Sequence, residues 1–245
     1  MAEVIPFRGL LYRPDVALGQ PSTDASSLLA PPYDVIYEPE RRNLAGLSSF
    51  NSAHLILPQP PVGAQSDARY QVAAATLSAW QRAGVMTRDA QPAFYRYHQV
   101  FCPPGEPNAA KIVRRGFIAR IRLHRFSEGV VLPHERTLSG PKVDRLKLKR
   151  ATRTHLSQVF GLYDDPERKA DAAFAAIESA EPALFGKTAD GVDHHLWRLV
   201  DPDAIAEVQR VLRDRRIYIA DGHHRYEPML ALREELRQDP SYCGL

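Results

Sequence analysis

Residues 217–227, Ile-Tyr-Ile-Ala-Asp-Gly-His-His-Arg-Tyr-Glu, give the strongest local signal for chemistry in the chain. Ile217 to Ala220 reads as a short buried strand, and Asp221-Gly222 makes a sharp turn. A helix follows, carrying Met229, Leu230, Arg233 and Leu236. Proline lacks an N–H and clashes backwards deep in a helix, so Pro228 belongs to the first turn and sets the helix start near Arg225. The N–H groups of Gly222, His223 and His224 then lie at a helix N-terminus, where free donors and the dipole favour an anion. Gly222 allows close approach of a ligand to the backbone. Arg225 offers a bidentate fork to phosphate or carboxylate, and His223 or His224 can donate to phosphate or move a proton near neutral pH. An anion site, phosphate above all, is the first reading. A metal site on these histidines with Asp221, and a structural turn with exposed histidines, are the other two.

A second set lies at Pro133-His134-Glu135-Arg136-Thr137. His134 and Glu135 are a candidate acid–base pair or part of a metal set. They do not belong to a His-Glu-x-x-His zinc motif, because position 138 is leucine. The stretch from Pro133 to Arg153 is polar and basic and reads as a loop that folds over the Gly222 turn, bringing Lys142 and Arg145 to it. Asp34, after Pro31-Pro32-Tyr33, is a third candidate. The sequence thus nominates His134, Glu135 and Asp221 for catalysis, and Gly222, His223, His224, Arg225, Lys142 and Arg145 for binding a nucleoside di- or triphosphate. Asp34, Glu135 and Asp221 are nominated for Mg²⁺. His194-His195 reads as a loop pair with one ring inward and one outward. No Gly-x-x-x-x-Gly-Lys-Ser/Thr loop, Gly-x-Gly-x-x-Gly turn or Gly-x-Ser-x-Gly elbow is present, so the common nucleotide-loop, dinucleotide-binding and hydrolase readings lose their usual support.

Charge is unevenly placed. Between Lys111 and His155 stand thirteen Lys/Arg and three acids, a balance of +10, and the rest of the chain carries −7. Such a segment attracts phosphate, nucleotide, nucleic acid or an acidic partner, or is simply a solvated face. Nucleic acid lacks further support, since no zinc-finger spacing, RNP-like aromatic strand or Arg/Gly tail accompanies the charge.

The elements that must hold these residues follow from periodicity. Asp67 to Ala83 reads as a helix with Tyr70, Ala73, Leu77 and Trp80 inward, Ser66 as cap and Gly84 as the left-handed stop. Val4–Tyr12, Ala53–Leu57, Phe94–Phe101, Ile112–His124, Val130–Leu132 and Leu196–Val200 read as strands, and 94–124 as an antiparallel pair. Asp165-Pro166 and Asp201-Pro202 start two helices, the first reaching Glu178 and the second carrying Ile205, Val208 and Leu212 inward. The expected class is α+β: a mixed or antiparallel sheet with packed helices and a late helix–strand–turn–helix unit, in one region spanning 1–245.

With 44% hydrophobic and 25% charged residues, the 245-residue chain is not wholly disordered. No stretch approaches eighteen apolar residues. The N-terminus lacks the pattern of a secretory signal, and Cys102 and Cys243 build no framework, so a reduced cytoplasmic protein is expected.

Several of these pieces together resemble a bacterial and archaeal family known as domain of unknown function 1015. They are Pro6-Phe7-Arg8-Gly9, Pro31-Pro32-Tyr33-Asp34-Val35, Trp80, Phe94-Tyr95, Pro133-His134-Glu135-x-Thr137, Asp144-Arg145, Leu196-Trp197 and residues 219–227. The resemblance spans essentially the whole chain and implies the N-terminal part of a longer protein. Two places depart from the family pattern: Pro228-Met229, where Thr-Ala is usual, and Thr154-His155-Leu156-Ser157-Gln158, where an Asn-Phe-Ser-Pro-like run is usual. The Asp-Gly-His-His-Arg turn is more distantly similar to the ParB/sulfiredoxin-like group, which includes CTP-binding partition proteins, sulfiredoxin and free-serine kinases. That similarity implies phosphate contacts at Gly222, His223, His224 and Arg225. The leading functional expectation is a nucleotide- or phosphate-binding protein, in its fullest form a Mg²⁺-dependent phosphotransferase acting on a small molecule. A divalent-metal hydrolase using His134, Glu135, Asp221 and His223, and a non-catalytic regulatory or nucleic-acid-binding domain, are the alternatives.

Overall fold

The structure is a computed structural model, and it describes residues 1–135 and 139–238. The chain begins with β1 (Val4–Ile5), β2 (Leu10–Tyr12), α1 (Pro14–Leu18), α2 (Glu38–Leu47), α3 (Ala53–Ile56) and α4 (Ala68–Arg82). Then come β3 (Met86–Arg88), β4 (Phe94–Phe101), β5 (Ile112–Ile118), β6 (Arg120–Ile121), β7 (Val131–Leu132) and α5 (Ser139–Thr152). The last third holds β8 (Phe160–Leu162), α6 (Lys169–Ala172), α7 (Ala175–Glu178), β9 (Leu184–Lys187), β10 (Asp193–Leu199), α8 (Pro202–Leu212), β11 (Ile217–Asp221) and α9 (His223–Gln238).

Four strands form an antiparallel sheet in the order β5-β4-β10-β9, and three form a mixed sheet in the order β7-β11-β8. In the mixed sheet β7 runs parallel to β11, with Ile217 opposite Val131 and Tyr218 opposite Leu132. The fold is α+β, with mixed and antiparallel sheets and packed helices. One core gathers Val4, Phe94, Phe174, Leu199, Val208 and Leu212 between the large sheet and α8. A second gathers Leu55, Leu77, Trp80 and Val85 under α4. Tyr226 closes a third with Val131 and Ile219, which ties the start of α9 to the mixed sheet.

The helix expected over 67–83 forms with Tyr70, Ala73, Leu77 and Trp80 buried, and Gly84 takes φ +74° as its stop. No side-chain cap bond opens it. The 201–212 helix is capped as expected, with the Asp201 carboxylate accepting the Ala204 amide at 2.8 Å.

Other elements differ from the expectation. Val4–Tyr12 is two strands in two sheets: β1 pairs with β6, and β2 with β3. Residues 53–56 are helical, with a run too short for its apolar pattern to separate strand from helix. The 112–124 strand splits after Ile118, because Arg120–Ile121 turns away to pair with β1. The 165–178 helix is two short pieces, and the Asp165 carboxylate accepts the amides of Lys169 and Ala170. Asp193 to His195 lies within β10 rather than in a loop. Most important for function, 139–152 is a helix and not a loop. Its periodicity is hidden because ion pairs supply much of its packing: Leu148 is its buried large apolar residue, while Lys149 and Thr152 are also buried. Thr137 and Cys243, singled out in the sequence, lie outside the described residues.

Candidate functional site

The strand–turn–helix at 217–227 forms where the sequence places it, but α9 starts at His223, two residues before the expected point. Pro228 therefore lies inside the helix, buried, and cannot donate to the carbonyl one turn back. Other contacts hold this first stretch. The Arg225 and Tyr226 amides donate to the Gly222 carbonyl at 2.8 and 3.0 Å. The Tyr226 hydroxyl donates to the His124 carbonyl at 2.8 Å and accepts the His124 amide at 3.0 Å.

Parallel pairing of β7 with β11 brings His134 and Glu135, just past the end of β7, against the first residue of α9. The His134 ring stands edge-on to the His223 ring, with centroids 4.6 Å apart and planes at 81°. Three contacts define the chemistry of the pair. Nδ1 of His134 lies 2.6 Å from the Ile219 carbonyl oxygen. A carbonyl only accepts, so Nδ1 carries a proton, and in the neutral ring the lone pair is on Nε2 of His134. The His134 amide donates to Nε2 of His223 at 3.3 Å. The neutral His223 ring therefore carries its proton on Nδ1, which sits 3.0 Å from a carboxylate oxygen of Glu135. That separation is ion-pair range, but the alignment makes no hydrogen bond, leaving a polar atom with no solvent contact unsatisfied. The His223 side chain is 0% exposed and that of Glu135 51%. Burial lowers the His223 pKa from its ordinary value, against a weaker upward pull from Glu135, which favours the neutral ring.

The ligand atoms of His134, Glu135 and His223 lie within 4.8 Å of one another and could hold a divalent metal. His134 meets the usual requirement that a ligating imidazole donate its other N–H to a fixed acceptor. His223 would have to shift its proton to Nε2 and give up the His134 amide before Nδ1 could ligate. A set of two imidazoles and one carboxylate suits zinc or a similar transition ion better than Mg²⁺, which prefers oxygen.

The remaining sequence-nominated residues surround this core in different roles. The Arg225 guanidinium faces inward: it bonds Asp221, the Ser157 hydroxyl at 2.8 Å and the Gln158 carbonyl. It is a clamp on the turn rather than a fork held out to a ligand, and it occupies the Asp221 carboxylate expected to serve catalysis or metal binding. Gly222, at φ +95°, lies directly beneath it. Lys142 reaches Glu227 at 3.0 Å, joining α5 to α9. Arg145 bonds Asp144 and the Ile56 carbonyl, and stacks on Tyr33 with its guanidinium carbon 4.0 Å from the ring centroid. Tyr33 is within electrostatic reach of Arg225, so the Pro-Pro-Tyr-Asp turn borders the site through its tyrosine. Asp34 is exposed and outside the His134–Glu135–His223 grouping. His224 is half-buried beside His223 on α9. His194 lies between Tyr97 and Thr188, and His195 stacks on Trp197, both within β10.

α5 and α9 run in the same direction side by side. Lys142 pairs with Glu227, and Arg150 with Glu235 at 2.9 Å, an equal step along each helix. The positive ends of two helix dipoles thus lie together near His134 and His223. Reading the sequence missed the Ile219 carbonyl, because a backbone acceptor leaves no mark in residue types. It also missed Ser157, whose only signal is its place in the segment that departs from the family pattern.

The basic 111–155 segment is spread over β5, β6 and α5, and many of its charges meet acids from elsewhere in the chain. Lys111 pairs with Asp193, Arg122 with Glu3, Lys147 with Asp67 and Arg150 with Glu235. Surface hollows of about 690 and 490 Å³ lie around Tyr12–Arg198 and Arg115–Glu178 and include none of the nominated residues. Among the described residues no helix is long and apolar enough to cross a membrane.

Residues 4–244 match the family described as "Protein of unknown function (DUF1015)". The chain belongs to that family. Neither the curated proteins nor the solved structures compared with it give a match. The DUF1015 assignment agrees with the whole-chain resemblance in the sequence and carries no activity with it. For this DUF1015 chain, chemistry has to be argued from the His134–Glu135–His223 cluster itself.

Proposed function

We propose that the chain binds a small phosphorylated ligand, such as a nucleoside di- or triphosphate, at the His223 turn and catalyses transfer or hydrolysis of its phosphoryl group. The observation that carries this reading is the fixed tautomer of His134. Its Nδ1–H is held by Ile219 and its Nε2 lone pair is available at the joined positive ends of α5 and α9. His134 offers that lone pair to the ligand as base or nucleophile, Glu135 accepts a proton, and Lys142 supplies positive charge to the phosphate. Mg²⁺ would enter with the nucleotide, on phosphate oxygens and the Glu135 carboxylate. The likeness of the Asp-Gly-His-His-Arg turn to the ParB/sulfiredoxin-like group supports phosphate as the ligand, and a cytoplasmic setting suits a nucleotide. Calorimetric titration with ATP, ADP, CTP and inorganic phosphate, each with Mg²⁺, tests it. Binding tighter than about 1 mM that weakens in Lys142→Ala is expected. No binding by any of the four overturns the reading.

A divalent-metal hydrolase is the second reading, favoured by the 4.8 Å grouping of His134, Glu135 and His223. It calls for a tightly held zinc-like ion. Metal analysis of protein purified without chelator separates the two: about one equivalent supports the hydrolase, and less than about a tenth removes a tight site.

A further inference from the structure

Resting on the phosphoryl-transfer reading, we propose that His134 is the nucleophile of a two-step transfer and is itself phosphorylated on Nε2. Three features of the site point to this. The His134 ring is exposed while the His223 ring behind it is fully buried, so Nε2 of His134 is the imidazole lone pair of this pair that a ligand can reach. Its orientation is set from both sides, by the Ile219 carbonyl on Nδ1 and by the edge-on His223 ring. The third feature is where the carboxylate sits. A general-base imidazole gains strength from a carboxylate on its far nitrogen, which stabilises the protonated ring. Here the far nitrogen has a neutral carbonyl, and Glu135 is turned to His223 instead. With no carboxylate behind its ring, His134 lacks the partner of a general base, and the geometry leaves its Nε2 the role of nucleophile.

The step balances without a further reagent. The Nε2 lone pair forms an N–P bond as the bond from phosphorus to the leaving phosphate oxygen breaks, and that electron pair leaves with the oxygen. Nδ1 keeps its proton, and the positive charge that develops on the ring is met by the Ile219 carbonyl. In the second step an acceptor hydroxyl or water attacks phosphorus, the N–P electrons return to Nε2, and the acceptor's proton goes to Glu135.

The test is labelling of the full chain with γ-³²P ATP or CTP and Mg²⁺, quenched in alkali, with mass spectrometry to locate the modification. A phosphoramidate survives alkali and is lost in acid. Acid-labile label on His134 is expected, absent from His134→Asn. Because the site is located in the unsubstituted chain, the result does not depend on how the variant folds. Label on another residue, or no label from a nucleotide that titration shows to bind, overturns the nucleophile and leaves the phosphoryl-transfer reading standing. No binding at all removes both.

Discussion

Arg225 lies across Gly222. A β-carbon placed at position 222 would stand 2.8 Å from Nε of Arg225 and 3.0 Å from its Cζ, on a backbone at φ +95°. The left-handed conformation and the guanidinium therefore both select glycine. Gly222→Ala is expected to cost about 1–3 kcal/mol. In an Arg225→Ala background the same change should cost less, because one of its two penalties is gone. Urea unfolding of the two single variants and the double variant checks this, and equal costs in both backgrounds would mean that the contact carries no energy.

Lys149 sits on α5 with 9% of its surface exposed, and burial lowers its pKa from 10.5 to about 7. The sign follows from linkage. The unfolded chain holds this proton up to about pH 10.5 and the folded chain only to about pH 7, so the penalty of burial grows as pH falls across that window. Lys149→Met is expected to stabilise the protein by about 1–3 kcal/mol at pH 7, with the gain shrinking towards pH 10. Thermal unfolding at the two pH values measures it. A gain that does not depend on pH would assign the effect to packing.

Asp144 accepts from Arg69, Tyr70 and Arg145 between α4 and α5. Burial alone would raise its pKa, but these charges and hydrogen bonds outweigh it and hold the carboxyl below 3.8. A depressed carboxylate contributes stability above its unfolded pKa and loses it as pH falls through the folded value. Asp144→Asn should thus cost about 2 kcal/mol at pH 7, and the gap to the parent should narrow at a pH below 3.8. Denaturant titrations at both pH values give the comparison.

Glu227 holds Lys142 at 3.0 Å, and in the proposed phosphate site this lysine is the cation that meets the ligand. The carboxylate and the phosphate compete for it. Lys142→Ala is expected to weaken phosphate binding roughly tenfold, and Glu227→Gln to tighten it by about threefold. If Glu227→Gln weakens binding as much as Lys142→Ala does, the pair acts by positioning α5 against α9 and not by charge.

The periodic elements were readable because apolar spacing recorded them: α4 with Tyr70, Leu77 and Trp80, and α8 with Val208 and Leu212. α5 was not, because Asp144, Arg145 and Lys149 occupy positions that apolar side chains usually mark, and pairing with Tyr33, Arg69 and Tyr70 has no local signature. The turn at Asp221-Gly222 was readable from its glycine, yet the direction of Arg225 was not, since its partners Ser157 and Gln158 lie far away in the chain. His134 and His223 were nominated together as candidate ligands of one metal, but the contact between their rings was not legible. Their meeting depends on a parallel pairing of two very short strands, which two residues of sequence cannot encode visibly.

That pairing has a consequence for how the protein is made. His134 leaves the ribosome well before Ile219, whose carbonyl fixes its tautomer, and before His223, whose ring backs it. Until β11 has been synthesised and has docked beside β7, the His134 imidazole is an ordinary exposed side chain free to exchange tautomers. Its tautomer is set only once β11, whose Ile219 lies 85 residues further along the chain, closes the mixed sheet beside β7.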